Sequence, residues 1–228
     1  MTKIYVPASS SEDWRTLLAD PIKHWRSGYS AKDSAKAWME NPNDFPPRIR
    51  SAFLRSELEP FRSIEMLLAF PEWKTPLPGS RRPSQSDVFA LAKSAGRLVA
   101  ITVEAKVSEP SDNVVSDWMD PPTPGKRERL RYLCDCLGLD LDQVDGIRYQ
   151  LLHRTVSSLI EADRFGASRT LMLVHSLSPT NEWFEDFERF ASLFDARAEI
   201  NSIVPITRRR TERLKFADIR LRLGWVSG

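Results

Sequence analysis

The chain's 228 residues suffice for one hydrophobic core, and 41% hydrophobic with 28% charged residues is the balance of an ordinary globular protein. A net charge of +2 excludes a global polycation, so any affinity for nucleic acid needs a local basic patch. No signal peptide and no long apolar run is evident, which predicts a cytoplasmic protein with no membrane partner.

The predicted elements open with a short β-like run, Ile4-Tyr5-Val6. Ser11-Glu12-Asp13 then caps a helix through Trp14, Leu17 and Leu18. His24 has no visible partner and reads as structural. A second helix starts at Ser30 and stops before Pro42, with Ala31, Ala35 and Trp38 on its inward face. Pro46-Pro47 precede a third helix near Arg48–Ser56. Phe61–Trp73 reads as a stronger helix with Ile64, Leu67 and Leu68 on its apolar side and Glu65 along it. Thr75–Gln85 is a loop rich in Pro, Gly and Arg that carries Arg81 and Arg82.

Ser86 to Val107 organises the rest. Asp87–Ala92 and Leu98–Val107 read as two strands joined by a tight turn at Ser94-Ala95-Gly96-Arg97. Val99, Ile101, Val103, Ala105 and Val107 alternate with Leu98, Ala100, Thr102, Glu104 and Lys106, so Glu104 and Lys106 share a face. In an antiparallel hairpin the start of the first strand lies opposite the end of the second, which brings Asp87 toward Glu104 and Lys106.

The stretch 108–125 has no periodicity and is rich in Pro and Asp, the mark of a long functional or mobile loop. Lys126–Leu137 follows as a helix with Lys126, Arg127, Arg129 and Arg131 on it. Within it Cys134 and Cys136 point in different directions and are not expected to bridge. Gly146–Phe165 is a long helix whose Gln150 and Arg154, four apart, project from one side. Ser168–Ser176 is a buried strand, Glu182–Phe194 an amphipathic helix, and Ile219–Val226 a half-exposed strand with Arg220 and Arg222 alternating.

Burying charges on an otherwise apolar hairpin is costly unless they are paired or bind a metal. Two carboxylates at one sheet edge suit a hard cation such as Mg²⁺ or Mn²⁺, and a lysine beside them can orient a water. That is the equipment of metal-assisted phosphodiester hydrolysis. Glu72-Trp73-Lys74 offers the same acid-any-lysine pattern but runs into Thr75-Pro76-Leu77-Pro78-Gly79, so it reads as a decoy that cannot be a central strand.

The spacing Asp87 … Glu104-Ala105-Lys106 resembles the core motif of the PD-(D/E)XK nuclease superfamily, over roughly residues 61–178. The resemblance implies an α/β (α+β) restriction-endonuclease-like core, a central mixed sheet flanked by helices, with an N-terminal helical extension at 1–60 and a C-terminal helix and strand at 179–228. It implies that Asp87 and Glu104 hold the metal, that Lys106 assists the attacking water, and that Gln150 or Arg154 faces the site. Glu65 is its candidate for an extra metal acid. Ser86 stands where the superfamily often has Pro, the first strand of the usual meander is not evident, and Arg154 rather than Tyr follows Gln150 by four. The phrases PSQSDVFALAK, PGKRERL and RYQLLHRT also resemble an uncharacterised bacterial family of unknown function.

The leading expectation is therefore a metal-dependent nuclease-like hydrolase acting on nucleic acid, DNA ahead of RNA. Arg81, Arg82, Arg127 and Arg154 are its candidate phosphate grips. The alternative is a catalytically inactive member of the same fold acting as a binding protein, and a third reading packs the tryptophan-rich N-terminal helices into a homodimer.

Overall fold

The computed structural model describes residues 3–5, 10–18, 21–26, 29–107 and 112–228, without the side chains of residues 23 and 24. Val6, at the end of the expected first β-run, and the side chain of His24 lie outside the described residues. Ile4 forms a parallel bridge to Ala69. Ser11–Leu17 is a 3-10 helix rather than an α-helix, closed at its start by a Ser10–Asp13 capping box.

Three helices follow: α1 (Pro21–His24), α2 (Ser30–Met39) and α3 (Pro47–Arg55). Ala35 and Trp38 of α2 and Ile49 and Phe53 of α3 are buried, in keeping with their helical spacing. Pro47 sits at the first turn of α3, where its missing N–H has no partner to lose.

The next segment corrects the sequence reading. Residues 61–73 do not form a helix: after a short 3-10 turn at Phe61–Ser63, Glu65–Thr75 is strand β1. It pairs antiparallel with β2 (Ser84–Ser94), which pairs antiparallel with β3 (Arg97–Lys106). Two causes hid β1. A bulge between Met66 and Leu68 shifts the alternation by one, which mimics helical spacing. Both faces are covered as well: Met66 and Ala69 meet the N-terminal helices, while Leu68, Phe70 and Trp73 meet the opposite layer. Pro71 is tolerated because β1 is an edge strand. The β2–β3 turn is two residues, Ala95 and Gly96, both at positive φ, as a tight hairpin demands.

The long connection then contains a short helix missed in the sequence, α4 (Val115–Met119), before α5 (Pro124–Leu137) and α6 (Tyr149–Arg164). Cys134 and Cys136 on α5 are buried and free, and burial pushes both thiols up to about 12. Strand β4 (Arg169–Ser176), helix α7 (Phe184–Ser192), the unanticipated strand β5 (Ser202–Pro205) and β6 (Arg220–Ser227) complete the chain. β6 is not half-exposed: it lies between β4 and β5, and Arg222 is buried over the ring of Phe61.

The six strands form one mixed sheet in the order β1-β2-β3-β4-β6-β5, with β3, β4 and β6 parallel. One face packs Trp38, Phe53, Val88, Ile101 and Leu173 with the N-terminal helices. The other packs α5, α6 and α7 through Leu133, Leu152, Phe187, Met172 and Trp225. This is a mixed α/β architecture with helices on both faces of the sheet. Thr75 fastens β1 beneath α6 by donating from its hydroxyl to buried Glu161 at 2.7 Å.

Candidate active site

The register decides where the acids stand. Val88 opposes Val103 across β2 and β3, and Pro71 opposes Val88 across β1 and β2. One step along, Glu72, Asp87 and Glu104 fall in a line across three adjacent strands. Their neighbours Phe70, Phe89 and Ala100 belong to the layer beneath α6, so alternation turns all three acids to that face. Adjacent strands are about 4.8 Å apart, and like charges directly opposite one another are destabilising.

Helix α6 brings the counter-charges. Arg154 Nε donates to Glu104 Oε2 at 2.5 Å, and Gln150 Nε2 donates to Glu104 Oε1 at 2.5 Å. Lys106 Nζ stands 3.5 Å from Glu104 Oε1. Glu104 and Lys106 are both buried, at 5% and 8% exposed. Asp87, partly exposed, accepts from the Ala105 backbone N–H at 2.6 Å, and Gln85 donates to Glu72 Oε2 at 2.7 Å. Arg154 also donates to Ser84 Oγ at 3.1 Å, and that hydroxyl meets His153 Nδ1 at 2.9 Å.

The electrostatics follow from this crowding. Burial, then the charges of Glu104 and Glu72, hold the Asp87 carboxyl well above the usual range. Burial pushes Glu72 up to about 7 against the hydrogen bond from Gln85 and the charge of Arg154. Burial disfavours the charge of Arg154, but Glu104, Asp87 and Glu72 more than compensate and raise its proton affinity. His153 is driven well below its usual value by burial and by Arg154, Arg129 and Lys106, so it is neutral. Glu72 also holds φ at +52°, a left-handed conformation that costs a non-glycine residue about 1 kcal/mol or more.

The sequence-derived candidates divide cleanly. Asp87, Glu104, Lys106, Gln150 and Arg154 come together. Glu65 does not: it begins β1 seven residues before Glu72, opposite Lys93, roughly 20 Å along the strand from the acids, and it pairs with Lys3 at 3.5 Å. It is a strand residue and not the helical acid expected. Arg81 is exposed on the β1–β2 loop and Arg127 on α5, and among the described residues neither forms an ion pair with the acids, while Arg82 lines a cavity that shares Ser84 and His153 with the Arg154 network. Arg129 is no surface grip at all, since it is buried and bound to backbone carbonyls. Glu72, expected only as a decoy, stands in line with Asp87 and Glu104; its acid-any-lysine pattern is the sequence signal, and the prolines around it mask that signal.

Residues 7–228 match the family model described as a domain of unknown function, DUF6946. The chain belongs to this family. Neither curated proteins nor solved structures yield a match. No helix among the described residues is long and apolar enough to cross a membrane.

Proposed function

We propose that this DUF6946 chain is a metal-dependent phosphodiester hydrolase of nuclease type. The observation that carries the reading is the acid rung itself: Glu72, Asp87 and Glu104 in line on one sheet face, with Lys106 and Arg154 against it. Glu104 and Glu72 raise the proton affinity of Asp87, an excess of negative charge that a cation would relieve. Asp87 and Glu104 offer the all-oxygen donors that Mg²⁺ or Mn²⁺ prefers. Among the described residues no group of three or more His, Cys, Asp or Glu side chains is drawn close enough to hold a metal unaided. An ion here would therefore draw on at most two of these carboxylates, with water and substrate phosphate completing its shell. Such an ion supplies Lewis-acid polarisation of the phosphoryl group and lowers the pKa of water.

The chain's own groups then have distinct tasks. Gln150 fixes the Glu104 carboxylate by its 2.5 Å hydrogen bond. Lys106 places a positive charge beside Glu104 where it orients a nucleophilic water. Glu72, with its carboxyl at about 7, is the acid suited to accept a proton at neutral pH. Arg154 offers its guanidinium to the phosphate. The order β2, β3, α6, β4 follows the strand, strand, helix, strand order read with the PD-(D/E)XK resemblance, although β1 stands where that reading had a helix; nucleic acid, DNA ahead of RNA, is the proposed substrate.

One observation favours a second reading, a catalytically inactive member that binds without cleaving. Both oxygens of Glu104 are already taken, and the space walled by Glu104, Lys106, Gln150 and Arg154 is about 20 Å³, room for one water. Incubation with single-stranded and duplex DNA and with RNA, with and without Mn²⁺, separates the two. The hydrolase reading expects Mn²⁺-dependent cleavage that falls at least about a hundredfold in Lys106→Met and in Asp87→Asn. Intact substrates together with no calorimetric heat from Mn²⁺ would leave only the binding reading.

A further inference from the structure

Beside the acid rung lies a cavity of about 490 Å³, in the size range of small-molecule sites. It is walled by the β1–β2 loop, α4, the start of α5 and the first turns of α6. Arg82, Lys126, Arg129 and His153 line it, and Asp112 is its acid. Arg129 makes the wall. Its Nε donates to the Pro78 carbonyl at 2.8 Å, and its Nη2 to the carbonyls of Leu77, Ser80 and Arg82 at 3.1, 3.1 and 2.9 Å. Gly79 completes the seam: at φ +77° it packs so close to α5 that an added Cβ would fall 2.1 Å from the Gly125 carbonyl oxygen.

The charge of this cavity is unbalanced. Arg129 is 7% exposed, and a buried guanidinium needs a counter-charge. Among the described residues no carboxylate lies within ion-pair distance of Arg129, Arg82 or Lys126. Lys126 spends its ammonium on two backbone carbonyls, Asp120 and Pro121, and on the face of Trp118. The positive end of the α5 dipole adds to the field, and burial, with Arg154 and then Arg129, holds His153 well below its usual value. Ser84, on the cavity wall, is hydrogen-bonded to Arg154, which in turn holds Glu104. An anion here would lie two side chains, Ser84 and Arg154, from Glu104.

We infer that this cavity binds the terminal phosphate of a nucleotide, either a 5′-phosphorylated strand end or a free mononucleotide, with Arg82, Lys126 and the Arg129-braced loop as its binding groups. The phosphate chemistry stands on the cavity alone; its belonging to a nucleotide rests on the hydrolase reading. A walled cavity on a nearly neutral chain takes a strand by its end, where a duplex would need an open basic track.

The test measures binding in EDTA, so that no cleavage intervenes. A 5′-phosphorylated single-stranded oligonucleotide, its 5′-hydroxyl twin and a nucleoside 5′-monophosphate are titrated against the wild-type chain and the Arg82→Gln/Lys126→Gln variant, whose substitutions lie at the cavity mouth. The expected result is about tenfold tighter binding of the 5′-phosphorylated strand, falling below twofold in the variant. Competition by the monophosphate at similar affinity would name the free nucleotide as ligand, and its failure to compete would name the strand end. Equal affinity for the two oligonucleotides with no binding of the monophosphate, or a preference unchanged in the variant, overturns the inference. Discrimination that persists in a chain unable to cleave with Mn²⁺ would instead remove the hydrolase and keep the cavity.

Discussion

On β1, β2 and β3 one face carries Ala69, Val88 and Val103 beneath the N-terminal helices, and the other carries Glu72, Asp87 and Glu104 beneath α6. Val88 adjoins Asp87 and Val103 adjoins Glu104 on the same backbones, and Ala69 stands three residues before Glu72. The first is dry and apolar, with Val88 and Val103 at 0% and 1% exposed, and it contributes stability through burial. The second stacks like charges that repel one another and needs Arg154, Lys106 and Gln150 to hold it. A sheet that holds such a rung on one face while keeping the other apolar gives up stability at the rung, a pattern common at functional sites.

The largest expected effect comes from putting the chemistry of the acid face onto the apolar one. Val103→Asp places a carboxylate among Val88, Ile101 and Leu173 with no cation to meet it. The cost expected is about 4 kcal/mol or more, read from urea denaturation. A loss under about 1 kcal/mol would mean that the N-terminal layer is wet and that the two faces do not differ as described.

A titratable group already stands on the apolar face. His175 of β4 lies between Ala105 and Val226, is 1% exposed, and is lowered by burial to about 4. Above the unfolded value near 6.5 both states are neutral there, and the histidine adds no pH dependence. As pH falls from about 6.5 toward 4, the unfolded chain takes up a proton that the folded chain refuses, so stability drops. The difference reaches about 3 kcal/mol at the lower end. His175→Leu should flatten this part of the pH–stability curve relative to wild type, as measured by chemical denaturation across that window. Parallel curves for the two proteins would show that the ring is hydrated in the fold.

The hairpin was readable in the sequence because its determinants are local: alternation along Leu98–Val107 and a glycine turn fix both strands and, through them, the approach of Asp87 to Glu104. Gln150 and Arg154 were readable as one side of a helix, and the α/β class with a central mixed sheet flanked by helices came with the PD-(D/E)XK resemblance, while the count of six strands did not. β1 was hidden by its bulge and by having both faces covered, and Glu72 went with it, since a proline that forbids a central strand is harmless at an edge. β5, four residues long, carries too little pattern to register. The cavity is assembled from the β1–β2 loop, α4, α5 and α6, and no periodicity records how segments so far apart in the chain will meet.

The smallest effect is the most telling, because its sign separates function from structure. If Asp87 served the fold, neutralising it would weaken a charge-assisted hydrogen bond to the Ala105 N–H and cost stability. If it stands in the rung as a metal acid, Asp87→Asn keeps that bond through the amide oxygen and removes a charge that Glu104 and Glu72 oppose. The variant should then be more stable than wild type by about 1 kcal/mol in the absence of divalent ions. It should also lose the extra stability that Mn²⁺ confers on the wild-type chain, since an ion bound only by the folded state stabilises it by mass action. Thermal denaturation of both proteins in EDTA and in excess Mn²⁺ gives the four values needed. A wild-type melting temperature indifferent to Mn²⁺, or an Asp87→Asn chain less stable than wild type in EDTA, would place Asp87 with the framework of the sheet and leave the acid rung without a catalytic purpose.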